Sequence, residues 1–230
     1  MPLTDAVARY YSALAREYDV VAGYTDPVAE ELRRPIRARF QAALKGRKVL
    51  ELACGTGYWT AAIAGAAESV LATDVDPTMI SLARRRLALR SNVRCQVADA
   101  YTLEGVEGSF TAAFSHWWWS HVPRSRLVGF LGVLHSKLTA GAVVVFADQL
   151  RYDWGRRRED AEGNLIEERV LPDGTEWEIV KNFPVEAEIV RELGGIAESV
   201  VYHEYPESGY WMLTYNTRCQ SPTSGSSGHR

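Results

Sequence analysis

At 230 residues, with 47% hydrophobic and 24% charged side chains, the sequence is that of a water-soluble chain long enough to bury a sizeable core as one domain. A formal charge of −3 gives no broad attraction to phosphate backbones, so nucleic acid is not an expected partner. Cys54, Cys95 and Cys219 are widely spaced and form no C-x-x-C pair, which speaks against a zinc site or a disulfide framework and suits a reducing cytoplasm. No apolar run approaches the ~20 residues that span a bilayer, and Met1 to Asp5 lacks the basic and apolar regions of a signal peptide.

Thr4 to Tyr18 reads as a helix capped by Thr4 or Asp5, with Val7, Tyr10, Tyr11, Leu14 and Tyr18 near one face. Two readings stand: a helix packed on a rim, or a lid over a cleft, for which tyrosine offers both apolar area and a hydroxyl. Tyr24 follows in a loop. Pro27 to Leu44 is a second helical stretch that Pro35 should break or bend, and Arg33, Arg34, Arg37 and Arg39 read as its solvated face.

Val49, Leu50 and Leu52 suit a strand buried on both faces. The run stops at Ala53, Gly55-Thr56-Gly57 follow, and Tyr58 to Ala67 is an Ala-rich helix. Strand, glycine turn and helix make the first half of a nucleotide-binding βαβ unit, in which glycine lets the backbone approach a ligand. The dinucleotide fingerprint G-x-G-x-x-G/A is incomplete, because its sixth position is Thr60. Val70 to Asp74 is a second strand ending in an acid placed to accept ribose hydroxyls. Asp76 and Pro77 then start a helix to about Arg90. Asn92 to Asp99 is a third strand ending in another acid.

Phe110 to Ser115 is a fourth strand, and His116-Trp117-Trp118-Trp119-Ser120-His121-Val122-Pro123 follows at its carboxyl end, where open α/β sheets bind ligands. If extended, this segment points Trp117 and Trp119 one way and Trp118 the other. A helix from Pro123 to about Leu138 and a fifth strand, Ala142 to Asp148, continue a mostly parallel sheet. Gln149 to Asn164 is strongly charged and reads as an exposed linker or short helix. Leu171-Pro172-Asp173-Gly174-Thr175 is a hairpin turn that pairs Leu171 with Thr175. Period-two alternation puts Arg169, Leu171, Trp177, Ile179 and Lys181 on one hairpin face, suited to covering an anion pocket or simply exposed at an edge. A helix from Val185 to Leu193 and two strands near 198–205 and 210–216 close the chain, and a Ser/Thr/Gly-rich tail over 218–230 is expected to be disordered.

Glu51-Leu52-Ala53-Cys54-Gly55-Thr56-Gly57, the acid Asp74 and the acid Asp99 together resemble the linked motifs of class I S-adenosylmethionine (SAM)-dependent methyltransferases. The resemblance covers residues 1–217 and implies one Rossmann-like, doubly wound α/β domain. Its seven-stranded sheet would run in order 3-2-1-4-5-7-6 with the last strand antiparallel, under an N-terminal lid (1–26) and an inserted hairpin cap (165–183). It implies SAM as cofactor, S-adenosylhomocysteine (SAH) as product and no metal. The cofactor residues it implies are Tyr11, Glu51, Ala53, Gly55, Thr56, Gly57, Trp59, Asp74, Val75, Met79, Asp99, Ala100, Ser115 and His116. Asp99 would accept from the adenine amino group. Within the class, the 115–123 segment and the late hairpin are similar to phosphonate O-methyltransferases of the dehydrophos type. That likeness implies a small acidic acceptor, phosphonate or carboxylate, held by Tyr24, Trp117, Arg169 and Lys181, in secondary metabolism. His116 and His121 are the candidate bases for a neutral phenolic or heterocyclic acceptor. A nucleotide-binding protein of another class, such as an NAD-dependent oxidoreductase, is the third alternative. The protein is expected to be cytoplasmic, a monomer or homodimer, with no membrane partner.

Overall fold

The computed structural model describes residues 3–218, so Cys219 and the tail expected to be disordered lie, but for Arg218, outside the described residues. In chain order the elements are α1 (Leu3–Leu14), α2 (Tyr18–Val21), α3 (Pro27–Leu44), β1 (Lys48–Leu52), α4 (Tyr58–Ala64), β2 (Ser69–Asp74), α5 (Pro77–Arg86), β3 (Val93–Val97), β4 (Phe110–His116), α6 (Leu127–Ser136), β5 (Leu138–Gln149), β6 (Arg157–Glu159), β7 (Leu165–Val170), β8 (Glu176–Val180), α7 (Glu186–Leu193), β9 (Ala197–Tyr205) and β10 (Tyr210–Thr217). Seven strands form a sheet in the order β3-β2-β1-β4-β5-β10-β9, in which β10 runs antiparallel to both neighbours. This is the expected Rossmann-like order.

Alternation along the central strands divides the core between the two faces of the sheet. Leu50, Leu52, Leu71 and Ala113 pack with Phe130, Leu131 and Leu134 of α6 and with Ile189 and Leu193 of α7. Val49, Val70, Ala72 and Ala112 pack with Ile36, Phe40 and Leu44 of α3, Trp59 and Ile63 of α4, and Ile80 and Ala83 of α5. Both faces are covered, which is why these strands read as apolar runs rather than as alternating ones. The strand order reverses between β1 and β4, and the diverging carboxyl ends there open a crevice.

A second, three-stranded antiparallel sheet, β6-β7-β8, stands apart from the first. Its turn is the expected one: Leu171 N–H donates to Thr175 O at 2.9 Å, and Gly174 takes φ +84°. Val7, Tyr10 and Leu14 of α1 pack on Leu171 and Ile179, so lid and hairpin form one hydrophobic unit.

Several local expectations are corrected. The N-terminal helix breaks after Leu14 and restarts as α2. Pro35 does not break α3; it lies on the exposed side, where the carbonyl deprived of its partner can be solvated. Arg33 is not solvated but buried, donating to the carbonyls of Gly23 and Ala22 at 2.7 Å each and to the Tyr210 hydroxyl at 3.1 Å. The supposed linker over 149–164 contributes β6, paired with β7. Among the described residues no helix is long and apolar enough to cross a membrane.

The turn after β1 owes its shape to two glycines. Gly57 has φ +77°, and a Cβ there would stand 3.0 Å from Leu87 Cδ1 and 3.1 Å from Ala83 Cβ on the adjoining α5 segment. Gly57→Ala is therefore expected to destabilise the protein by about 1–3 kcal/mol through strain and overpacking. The check is a lower denaturant midpoint with an unchanged m-value.

Candidate functional site

A cavity of about 1060 Å³, its open mouth included, fills the crevice. Its floor comes from the carboxyl ends of the parallel strands. Ala53 and Gly55 follow β1; Asp74, Val75 and Asp76 end β2; Ala98 to Tyr101 follow β3; His116, Trp117, Trp118 and His121 follow β4. Met79 of α5 and Arg126 complete the sides, while Thr4, Asp5, Val7, Ala8 and Tyr11 of α1 and Tyr18 of α2 form the roof. Residues of both α1 and α2 thus stand over the crevice.

Two non-glycine residues in the floor carry positive φ, Ala53 at +50° and Trp117 at +60°. Strain of this kind costs about 1–3 kcal/mol per residue and persists only where the surroundings impose it. At Trp117 it ends β4 abruptly, and Trp119 to His121 then form a 3-10 turn. The tryptophans consequently do not alternate as an extended segment would. Trp117 and Trp118 line the cavity, whereas Trp119 is buried in the core against Phe146, at 5.0 Å between ring centres.

The polar groups of the floor suit an adenosyl ligand. Gly55, with φ +55°, lets the backbone face the cavity, and a Cβ there would lie 3.7 Å from the Tyr18 ring. The Asp74 carboxylate accepts from the Gly55 and Asp76 amides at 2.9 and 3.0 Å, which aims it along the floor. Burial pushes its pKa up to about 6, against the pull of those two amides. Asp99 is held at the end of β3 by the Tyr101 amide, 2.7 Å from its Oδ1.

At the other end stand the histidines. His116 is buried against Trp59 and Trp117, ring centres 4.5 and 5.0 Å away, and neither of its ring nitrogens has a hydrogen-bond partner. Burial first, then the Arg33 and Lys181 charges, hold it well below the ordinary imidazole range, so it is neutral. His121 is oriented by the backbone: its Nδ1 lies 2.7 Å from the Val180 carbonyl, which can only accept, so Nδ1 carries the proton. Its Nε2 is then an acceptor, and the Tyr11 hydroxyl donates to it at 2.8 Å. Both residues of this pair line the cavity.

Of the residues expected to hold cofactor, Tyr11, Ala53, Gly55, Asp74, Val75, Met79, Asp99, Ala100 and His116 line the cavity. Glu51, Thr56, Gly57, Trp59 and Ser115 lie outside the lining. Glu51 is buried in β1, and burial together with the Asp74 charge pushes it up to about 8. Ser115 Oγ donates to the Leu52 carbonyl at 2.9 Å and holds β4 against β1. Trp59 supports His116 from below. Of the expected acceptor contacts, Trp117 is in the lining. Tyr24 is not, being stacked on Tyr58 at 3.8 Å. Arg169 and Lys181 are also outside it, each already paired. Arg169 meets the buried Glu167 carboxylate at 2.6 Å and the Tyr152 hydroxyl at 2.9 Å. Lys181 donates to Ser120 Oγ at 2.8 Å and to Asp148 at 3.3 Å. Arg157 also donates to Glu167, at 2.6 Å. Thr4, Asp5 and Asp76, read from the sequence as helix caps, and Tyr18 and Trp118, read there without a ligand role assigned, also line the cavity, as do Tyr101 and Arg126, which the sequence did not single out.

The comparisons agree with this geometry. The methyltransferase-domain family matches residues 49–141. The structure of DhpI in complex with SAM and HEP superposes with a TM-score of 0.75 at 32% sequence identity, covering 93% of this chain and 97% of that one. The chain belongs to the class I SAM-dependent methyltransferases. A demethylmenaquinone methyltransferase of Clavibacter sepedonicus is 32% identical over 106 residues, 46% of this chain and 43% of that enzyme. A malonyl-[acyl-carrier protein] O-methyltransferase of Serratia marcescens is 26% identical over 215 residues, 89% of this chain and 82% of that one. This methyltransferase thus spans less than half the length of the demethylmenaquinone enzyme it matches. Among the described residues no group of three or more His, Cys, Asp or Glu side chains is placed to hold a metal ion.

The role expected of Asp74, accepting hydroxyl protons from a ribose, requires the carboxylate. With a pKa of about 6 the group is mostly protonated below that pH, so affinity is lost on acidification and regained on the alkaline side. SAH binding measured by calorimetry is expected to be about tenfold weaker at pH 5 than at pH 7.5. Asp74→Asn should bind weakly at both values, without that slope.

Proposed function

We propose that this methyltransferase moves the SAM methyl group to an oxygen of a small acid, seated at the Tyr11–His121 end of the cavity. The observation that carries this reading is the convergence of half-buried Arg169 and buried Lys181 beside that pair, each held by a carboxylate. Arg157, Arg169 and Lys181 face Glu167 and Asp148, which leaves one positive charge in excess, room for one more negative group. The Serratia relative is an O-methyltransferase, which agrees with an oxygen acceptor. DhpI holds a second small ligand, HEP, together with SAM.

Bound SAM supplies an electrophilic methyl group on a sulfonium. Everything else falls to the protein. Gly55, Asp74 and Asp99 fix the adenosine end, and the roof of α1 and α2 excludes water. Holding the partners in line is worth roughly 7–11 kcal/mol of barrier. A carboxylate or phosphonate oxygen is already anionic near neutral pH, so the acceptor needs orientation rather than deprotonation. A planar guanidinium suits two oxygens at once and an ammonium a third contact. Gripping the oxygens that do not attack leaves the nucleophile its charge.

A second reading rests on the Tyr11–His121 hydrogen bond. A neutral hydroxyl bound beside Tyr11 can pass its proton through the tyrosine oxygen to His121 Nε2, whose tautomer is already that of a base.

A panel of small carboxylates, phosphonates and phenols assayed for SAH formation distinguishes the two. Under the first reading Arg169→Ala lowers kcat/KM for acids by about 30- to 100-fold, the worth of a charge-assisted hydrogen bond or two, and His121→Gln changes it little. Under the second, His121→Gln costs about 10²–10⁴-fold on a phenol. Full activity of Arg169→Ala on every acid turned over by the wild type would sink the first reading.

A further inference from the structure

The arginines ending α5 look from their spacing like a solvated cluster that complements the helix dipole, but they divide into different jobs. Arg84 donates to the Cys95 carbonyl and Arg85 to Ser81, both at the surface. Arg86 turns inward. Its Nη1 donates to the Thr56 carbonyl at 2.9 Å and to Thr56 Oγ at 2.7 Å, inside the glycine turn. Its Nη2 pairs with Asp19, which lies in α2 of the roof. The other Asp19 oxygen accepts from the Thr56 hydroxyl at 2.6 Å. Lid, glycine turn and α5 therefore meet in one closed ring of three side chains.

Its position gives the ring leverage. Tyr18, the residue before Asp19, roofs the cavity over Gly55. Met79, from the first turn of the same α5 whose end carries Arg86, lines the cavity side. Gly57, the residue after Thr56, is packed against Ala83 so closely that turn and helix move together. At the far end of the lid loop, Arg33 fixes the carbonyls of Ala22 and Gly23, and Gly23 takes φ +66°. The roof segment is thus pinned at one end by a buried arginine. At the other it is tied by a half-exposed ion pair, with side-chain exposures of 30% and 28%.

We propose that Arg86 is a positioning residue for the cofactor. Through Asp19 and Thr56 it latches Tyr18 over the glycine turn, and opening of this latch gates cofactor exchange. An exposed pair of this kind is weak enough to open under ordinary fluctuation, while its second arm on Thr56 returns it to register. None of the three side chains lines the cavity, so the effect is on closure of the roof rather than on contact with the ligand. The inference does not depend on which acceptor the enzyme uses.

The test is stopped-flow dissociation of SAH from the full-length protein, with SAH calorimetry and thermal melting of the unliganded variants alongside. Arg86→Ala and Asp19→Asn are each expected to speed SAH release by about tenfold, with association changed less, because mutations that loosen a complex act mainly on the off-rate. The double variant should release SAH no faster than the faster single one, since the two residues form one latch. Arg86→Lys, which keeps charge but loses the fork, should fall between wild type and Arg86→Ala. Raising salt to 0.5 M should speed release from the wild type and not from Arg86→Ala. Unchanged release in both single variants, or additive effects in the double, overturns the latch. Should Arg86→Ala fail to fold, Asp19→Asn and the salt dependence of the wild type decide the matter by the same criteria.

Discussion

The molecule depends on one close packing: the glycine turn after β1 pressed against α5. Gly57 has no room for a side chain because Ala83 and Leu87 occupy the space, and Gly55 holds a positive φ where the turn borders the cavity. The contact places the start of α4, the end of β2 and the first turn of α5 around one point. Asp74 then reaches back to the Gly55 amide and closes the floor. Every other feature of the site is measured from this floor: the acids that follow the strands, the histidines after β4 and the roof of α1 and α2.

Charge is organised differently at the two ends of the crevice. Along the floor Asp74 and Asp99 accept from backbone amides, a surrounding that suits a ligand rich in hydroxyl and amino donors. Behind the Tyr11–His121 pair the cations Arg157, Arg169 and Lys181 outnumber the carboxylates, but each is already engaged, Arg157 and Arg169 with Glu167 and Lys181 with Asp148. Pre-pairing lowers the cost of burying these charges, because an unpartnered buried ion is far more expensive than a paired one. It also leaves an entering anion the task of sharing partners rather than of neutralising bare charges. The histidines stay neutral in this setting, His116 through burial among aromatic rings and His121 through burial beside Lys181.

The lid and the hairpin are far apart in sequence and form one structure. Tyr10, Leu14 and Val7 bury their apolar faces on Leu171 and Ile179 of the hairpin. Tyr11, on the same helix, instead reaches His121. The helix therefore carries packing on one side and the hydrogen bond to His121 on the next. The ion pair between Asp19 and Arg86 fastens its continuation, α2, to the main sheet's helices, so the roof is held from two directions.

The sheet order came with the family resemblance, whereas the central strands, the two acids that follow them and the glycine turn were legible in the chain itself. Each rests on a local constraint: a strand buried on both faces, a positive φ, an acid at the end of a strand. The hairpin turn was legible for the same reason, because Pro172, Asp173 and Gly174 leave little choice of backbone. What only the tertiary structure decided was the partnership of charged and aromatic side chains. Arg33 and Arg86 look like solvated arginines until lid and turn are folded beside them, and Asp148 passes as one more acid at a strand end until Lys181 arrives from the hairpin. Likewise three consecutive tryptophans alternate in an extended segment, yet the left-handed backbone at Trp117 sends two to the cavity and one to the core. Backbone preferences act over a few neighbouring residues and can be read in order. A buried ion pair or a ring stack joins residues scores of positions apart, and its partners are named only when the chain has closed.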